Sequence, residues 1–442
     1  MKLAFALLAS FALCAVAFAA EPDWPRVEQH ATELLQHYVQ IASVNPPANT
    51  AQAAEFLAHE FAAYGLEAKL FKPDASGKTN LLLRLPGRDR TKRPLLLLNH
   101  MDVVPADPSR WKQDPFSALI EGNTMWGRGT LDMKSTAIMQ LTALTLLKQL
   151  GIVPPRDILF LADCDEETGG ALGAGWMIAN HWSELNPEYV LDEGAPGSRD
   201  LYTSGKLVFG ISVADKQVLW LRVRAQGTSG HGSQPIPDNA NDILLSAIER
   251  AKAFPPSNKP DALVANMRAQ LGEFASNKFM NAIQQNTMSL TSLRSGVGNP
   301  PKSNVIPSIA EATLDCRLLP GQNAEEFLSE IKARINDPRV TVEELSSKPD
   351  DPQPSRTDTP LYRALVSAIE REQPGATVLP VIVPYGTDGQ KFRMKGVAAY
   401  GLIPMAVDAA TLATMHSDSE HIPLDQFRKG LHIYFDILRS ES

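Results

Sequence analysis

Apolar residues in this chain follow two patterns. Over residues 27–41 they recur every three to four positions, placing Ala31, Leu34, Leu35, Tyr38 and Ile41 on one face. That spacing predicts an amphipathic helix, which Asn45-Pro46-Pro47 terminates. A second helix is predicted over 51–64, stopped by Gly65. A long one is predicted over 132–150, stopped by Gly151 with Pro154-Pro155 beyond it. Between them lie short unbroken apolar runs at 66–71, 81–85, 94–98, 158–162 and 189–191, which read as strands, with a further helix around 174–181. Strand and helix alternate, the pattern of an α/β sheet with helices on its faces.

The pattern changes near Lys216. Residues 218–225 alternate as Val-Leu-Trp-Leu-Arg-Val-Arg-Ala, which predicts a strand with one face in water. Helices are predicted over 238–254, 271–285 and 324–335, and strands over 287–293, 310–317 and 340–345. Together they describe a small α+β unit. Residues 346–355 are rich in proline, aspartate and serine and read as a hinge. A helix over 361–371 and a strand over 377–383 then restore the α/β pattern. The expected organisation is an α/β domain in two pieces, 20–215 and 351–442, with an α+β domain inserted at 216–350.

Composition narrows the classes. Met1-Lys2, the apolar run 3–16 broken only by Ser10, and Ala17-Phe18-Ala19 predict a signal peptide over residues 1–19 and an exported protein, periplasmic or secreted. Loss of Lys2 with that segment moves the formal net charge from −8 to −9. An acidic chain with no long basic run argues against nucleic acid as a partner, and no later apolar stretch is long enough to span a membrane. A chain of 442 residues exceeds one ordinary core. Of three cysteines, Cys14 belongs to the leader. Cys164 and Cys316 read as buried small hydrophobes, with a disulfide between them as the alternative that export permits.

The chemistry gathers where the apolar runs end. Residues 94–98 run through Asn99 into His100-Met101-Asp102, residues 158–162 into Asp163-Cys164-Asp165-Glu166-Glu167, and residues 189–191 into Asp192-Glu193-Gly194. In open α/β sheets the carboxyl ends of strands share one edge, and ligands bind there. His100 and Asp102 are two apart on an extended segment, so Asp102 can accept the ring N–H of His100 that a metal does not use. Asp132 opens the long helix after Gly127-Arg128-Gly129-Thr130-Leu131. Each residue alone has an ordinary explanation: a capped strand-end histidine, a helix cap at Asp132, a turn at Asp192, a solvated acidic loop at 163–167. Four such coincidences at one sheet edge favour a metal site, in which adjacent Glu166 and Glu167 divide proton transfer and metal binding.

These segments resemble the signatures of the co-catalytic zinc aminoacylase/carboxypeptidase family. The resemblance rests on His100-Met101-Asp102-Val103-Val104-Pro105, Trp126-Gly127-Arg128-Gly129-Thr130-Leu131-Asp132-Met133-Lys134, Asp165-Glu166-Glu167-Thr168-Gly169-Gly170 and Leu191-Asp192-Glu193-Gly194. That family includes glutamate carboxypeptidase, acetylornithine deacetylase and Gly-X carboxypeptidase. The resemblance implies a zinc-peptidase-like catalytic domain with an inserted lid and dimerisation domain. It implies two zinc ions, replaceable by cobalt or manganese, with Asp132 bridging them. His100 and Asp192 would complete one site, Glu167 and His416 the other, and Glu166 would be the general base. His416, in a His-Ser step, fits the family pattern better than His421. The resemblance also implies that His231, in Gly230-His231-Gly232, stabilises the oxyanion, often from a partner subunit. Asn304, Arg317 and the Gly386-Thr387 loop would hold the substrate. Gln390 and Lys391 stand where relatives commonly carry arginine, and the stretch 254–286 is longer than in compact members. The expected substrate is a small peptide or N-acyl amino acid with a free carboxylate, and the expected assembly is a homodimer through the lid. A two-metal phosphoesterase, for which Arg128 and Lys134 are the basic residues available, and a non-catalytic peptide-binding relative are the alternatives.

Overall fold

The structure is a computed structural model that describes residues 21–47, 49–253, 261–345 and 352–440. The expected signal peptide at 1–19 and most of the expected hinge, 346–351, lie outside the described residues. The larger unit is an eight-stranded mixed sheet. Its order is Ala68–Phe71, Asn80–Leu85, Ile158–Asp163, Leu95–His100, Tyr189–Ser198, Ala398–Ala406, Val208–Asp215 and Thr377–Val383. Leu95–His100 is parallel to both of its neighbours, with His100 level with Asp163 and Leu97 level with Leu191. Three chain segments therefore leave the sheet along one edge, as the apolar runs imply.

Helices Trp24–Val39, Ala51–Ala62, Ser135–Gln149, Pro360–Glu372 and Leu424–Ser440 share the largest core with one face of the sheet. Ser135–Gln149 is buried on nearly all sides, which explains why its apolar residues are spread around the helix rather than set in one stripe. This helix starts three residues later than its sequence pattern predicts. Asp132 is extended (φ −124°, ψ 98°), so its carboxylate stands clear of the helix instead of capping it. The strands Val208–Asp215 and Ala398–Ala406 have no counterpart among the predicted elements.

The inserted unit is a four-stranded antiparallel sheet in the order Thr287–Ser295, Ile309–Leu318, Gln217–Gln226, Val340–Glu344. Helices Ala240–Lys252 and Ala324–Ile335 cover one face. Leu219, Leu221, Val223 and Ala225 point into that core while Arg222 and Arg224 face out, as the alternation predicts. The single helix expected over 271–285 is instead two helices, Ala262–Leu271 and Lys278–Ile283, separated at Gly272 (φ +78°). They pack on the large sheet: Met267, Leu271, Met280 and Ile283 share a core with Leu379, Val381 and Val383. Part of the 216–350 stretch thus belongs to the packing of the larger unit. Lys216, at the crossing between the two sheets, donates to Ala282 O (2.9 Å), Gln285 O (2.7 Å) and Thr287 Oγ1 (3.0 Å). Its burial pushes the amine down to about 7.

Cys164 and Cys316 are both free and buried, so the disulfide alternative is not formed. No described helix is long and apolar enough to cross a membrane.

Candidate metal centre

Five segments bring His100, Asp132, Glu166, Glu167, Glu193 and His416 together. Asp132 is the link between the histidines. Its Oδ1 lies 2.9 Å from His100 Nε2 and its Oδ2 lies 2.9 Å from His416 Nε2. Glu167 Oε2 stands 3.4 Å from His416 Nε2, and Glu193 Oε1 stands 3.9 Å from His100 Nε2. Ligand atoms of His100, Glu166 and Glu193 lie within 4.8 Å of one another, as do those of His100, Asp132 and Glu167. His416 adopts a left-handed backbone (φ +62°), which a non-glycine residue holds only when its surroundings fix it.

The electrostatics call for a cation. Burial pushes the Glu166 carboxyl well above its usual range, reinforced by Asp388, Glu167 and Asp132. Burial does the same to Glu193, reinforced by Asp132 and Glu166. Asp132 goes the other way: burial raises it, but hydrogen bonds from the two imidazoles outweigh that and hold it low. Burial lowers His416, yet Asp132 and Glu167 push it up to about 11. Glu167 Oε1 is buried and has no hydrogen-bond partner among the described residues. Imidazole nitrogens and carboxylate oxygens at these separations form the donor set that zinc takes, and Asp132 offers one oxygen to each side. The residues fit two metal ions.

Two expected contacts differ. Asp192 is not in the cluster; its Oδ2 accepts from Gly389 N–H at 2.7 Å. Neighbouring strand residues face opposite sides, so only one of Asp192 and Glu193 reaches His100, and it is Glu193. Asp102 also differs. His100 Nδ1 donates to the backbone carbonyl of Asp102 at 2.9 Å, while the Asp102 carboxylate stands 3.6 Å from that nitrogen. That carboxylate instead accepts from Asn45 Nδ2 (2.7 Å) and Glu167 N (3.3 Å). It therefore braces the turn carrying Glu166 and Glu167, and the ring tautomer is fixed by a carbonyl. Asn45 also reaches Thr168 Oγ1 (3.1 Å), and Lys78 pairs with Asp165. Asp163 is fully buried at the end of its strand, beside Asp388.

Glu420 is a further residue that sequence reasoning missed. It is fully buried, accepts three backbone N–H bonds from the Asp132 loop, and pairs with buried Arg128 at 2.5 Å. Removing one partner of such a pair costs about 3–5 kcal/mol, because the other charge stays buried without compensation. His421 is outside the cluster, with Nδ1 on Ser419 O (2.8 Å) and its ring 4.3 Å from that of Trp126.

Residues 96–440 match the profile of peptidase family M20/M25/M40. The chain belongs to that family. It is a metallohydrolase of the peptidase and aminoacylase kind. It is 28% identical over 419 residues to mouse aminoacylase-1, covering 94% of this chain and 96% of that protein. It is 27% identical over 400 residues to a probable carboxypeptidase S-like protein of Dictyostelium discoideum, covering 84% and 76%. It is 27% identical over 441 residues to the mouse N-fatty-acyl-amino acid synthase/hydrolase, covering 92% and 87%. The fold is shared with a metallo-carboxypeptidase of Sulfolobus solfataricus (TM-score 0.71, 20% identity, 93% of this chain and 99% of that one). Human carnosine dipeptidase 1 shares it too (TM-score 0.72, 16% identity, 95% and 98%).

Of the residues expected to touch substrate, Arg317 sits on the inserted four-stranded sheet, His231 and Asn304 at a separate two-stranded sheet, and Gly386 and Thr387 on the loop after Thr377–Val383. His231 is exposed, and its Nδ1 lies 2.7 Å from Ser233 Oγ. Its strand pairs with Val305–Ile306, and Gly232 N donates to Asn304 O at 2.8 Å, so His231 and Asn304 lie side by side. Among the described residues, no hydrogen bond or ion pair joins His231 to the metal cluster of its own chain. Arg317 is held by Asp315 through two bonds, at 2.7 and 3.0 Å, so its fork is already engaged. Thr387 donates to Asp215 Oδ2 through its N–H (3.3 Å) and hydroxyl (3.1 Å), and Arg393 pairs with the same oxygen at 2.6 Å. The Gly386-Thr387 loop is thereby pinned to the crossing between the sheets.

Proposed function

We propose that this chain is a two-zinc hydrolase that cleaves a peptide or N-acyl amide bond beside a free carboxylate. The observation that carries the reading is Asp132, one oxygen on each of two histidines, with Glu166 beside them. The names of the relatives support the substrate class: an aminoacylase, a carboxypeptidase S-like protein and an N-fatty-acyl-amino acid hydrolase. His100, Asp132 and Glu193 would hold one ion, and Asp132, Glu167 and His416 the other. Zinc in that set supplies a Lewis acid for the carbonyl and lowers the pKa of water to about 7.

Glu166 takes the proton of the attacking water and delivers it to the leaving amine. Its buried carboxyl lies beside His100 and Glu193, within reach of a water held by those residues. Asp102 and Asn45 hold the Glu166-Glu167 turn in register with His100. His231, brought over the site by closure or from a partner subunit, donates to the developing oxyanion. Asn304 and the Gly386-Thr387 loop orient the substrate. Arg317 takes its carboxylate in exchange for, or alongside, Asp315. The sequence of residues 1–19 supports export, and the family resemblance supports a homodimer through the inserted unit.

Phosphodiester cleavage uses the same metal clamp but needs cations that reach the substrate. Arg128 is committed to Glu420, and Lys134 Nζ donates to the carbonyls of Tyr38 (3.1 Å) and Ile41 (2.6 Å). Neither is available, which disfavours that alternative. A screen of the zinc-loaded protein against dipeptides, N-acyl amino acids and a generic phosphodiester tests the reading. Amino acid release without phosphodiester cleavage is expected. Phosphodiester cleavage alone, or no hydrolysis with zinc bound, would refute it.

A further inference from the structure

We propose that Glu420 is a positioning residue that sets the spacing of the metal centre, by tying the loop carrying Asp132 to the loop carrying His416. The inference rests on the two-metal reading and concerns a residue that touches neither substrate nor metal. Oε1 of Glu420 accepts from Gly129 N (3.0 Å), Leu131 N (2.9 Å) and Asp132 N (3.2 Å), and Oε2 accepts from Arg128 Nη1 (2.5 Å). Its backbone carbonyl takes a fourth N–H, from Gly127, at 3.0 Å. One residue thereby collects four backbone N–H groups and one guanidinium of a loop that lies between a short strand, Thr124–Trp126, and the buried helix Ser135–Gln149.

The loop needs such an acceptor. Gly129 is left-handed (φ +85°), and a Cβ there would come 2.7 Å from Val103 Cγ1, so the backbone is pressed against its neighbour. Its amides converge on one point, as they do around a bound anion. Here the anion is a side chain belonging to the other half of the centre. Glu420 follows His416 by four residues, and His421 immediately after it pairs with Trp126 to close a small sheet. The turn holding His416 in its left-handed conformation and the loop holding Asp132 extended are thus fixed to one another through one buried carboxylate. A shift of that carboxylate would move Asp132 relative to His416, two of the residues that would hold metal. Partners of this kind, behind the ligands, typically change metal affinity by about 10–100-fold when removed.

Glu420→Gln tests this. The amide oxygen can still accept from the three amides, but its NH₂ then opposes the Arg128 guanidinium. Four measurements are compared with wild type: circular dichroism and melting of the metal-free protein, cobalt affinity by chelator competition, the visible spectrum of the cobalt-loaded protein, and kcat against KM. The expected result is a folded metal-free protein, a loss of cobalt affinity of about 10–100-fold, an altered cobalt spectrum, and a fall in kcat larger than any rise in KM. Cobalt affinity and spectrum equal to wild type, with activity lowered only in proportion to folded protein, would overturn the proposal. If Glu420→Gln is not recovered folded, Glu420→Asp keeps the charge opposite Arg128 while withdrawing the acceptor from the amides, and the same readouts apply. Failure of both to fold would assign Glu420 to folding and overturn the positioning role. Wild type that binds no cobalt would instead refute the metal reading itself, a result distinct from the failure of Glu420.

Discussion

Glu166→Gln is expected to lower kcat by about 10²–10⁴-fold while leaving the metal content unchanged. The substitution is isosteric and keeps the hydrogen-bonding outline of the side chain, but an amide cannot take a proton from water or pass one to a leaving amine. KM should change little, since Glu166 is not expected to hold the substrate. Glu166 lies close enough to His100 and Glu193 to be counted with them as a potential ligand. Metal analysis of the variant therefore decides its role. Loss of an ion would make Glu166 a ligand and move the base elsewhere, whereas retained turnover would remove it from the chemistry altogether.

The second expected effect separates adjacent residues. Glu193→Ala should weaken the binding of one ion by more than the roughly 100-fold that marks loss of an outer partner. Asp192→Asn should keep both ions, because Asp192 faces Gly389 N–H and an asparagine oxygen can accept the same bond. Isothermal titration of the metal-free variants with zinc gives the answer. The reverse outcome, metal lost from Asp192→Asn and kept by Glu193→Ala, would require the strand to be turned over and would restore Asp192 as the ligand.

The strand explains why its sequence does not choose between those two. Every residue of Tyr189–Ser198 is buried, so no alternation of apolar and polar positions marks which side faces the site. In Gln217–Gln226, by contrast, one face is wet and the phase was readable. Asp102 was assigned by extending strand geometry past His100, but the strand ends at His100 and the chain turns, which brings a carbonyl rather than a carboxylate to the ring. The α/β order, the inserted sheet, and the shared sheet edge with His100, Glu166 and Glu167 were legible because apolar runs that empty into acids are rare. Asp132 was legible as chemistry and misread as helix, since an extended residue just before a helix looks the same in sequence as its first turn.

Other parts lacked a local signal. Val208–Asp215 and Ala398–Ala406 contain Gly210, Gly401 and Pro404, residues that argue against strands until the surrounding sheet is in place. The helices Ala262–Leu271 and Lys278–Ile283 show an apolar face, but sequence does not say which core covers it, and the large sheet proves to do so. Glu420 and Asn45 act through contacts spanning about 290 and 57 residues of chain, which no spacing rule reaches.

Zinc bound per chain, measured on the wild-type protein after excess metal is removed and paired with amino acid release from an N-acyl amino acid, tests two-metal amide hydrolysis most directly. Two ions per chain are predicted, with hydrolysis abolished by chelation and restored by added zinc. Full hydrolysis by a chain stripped of metal, or two bound ions with no cleavage of any peptide or N-acyl amino acid, would contradict it.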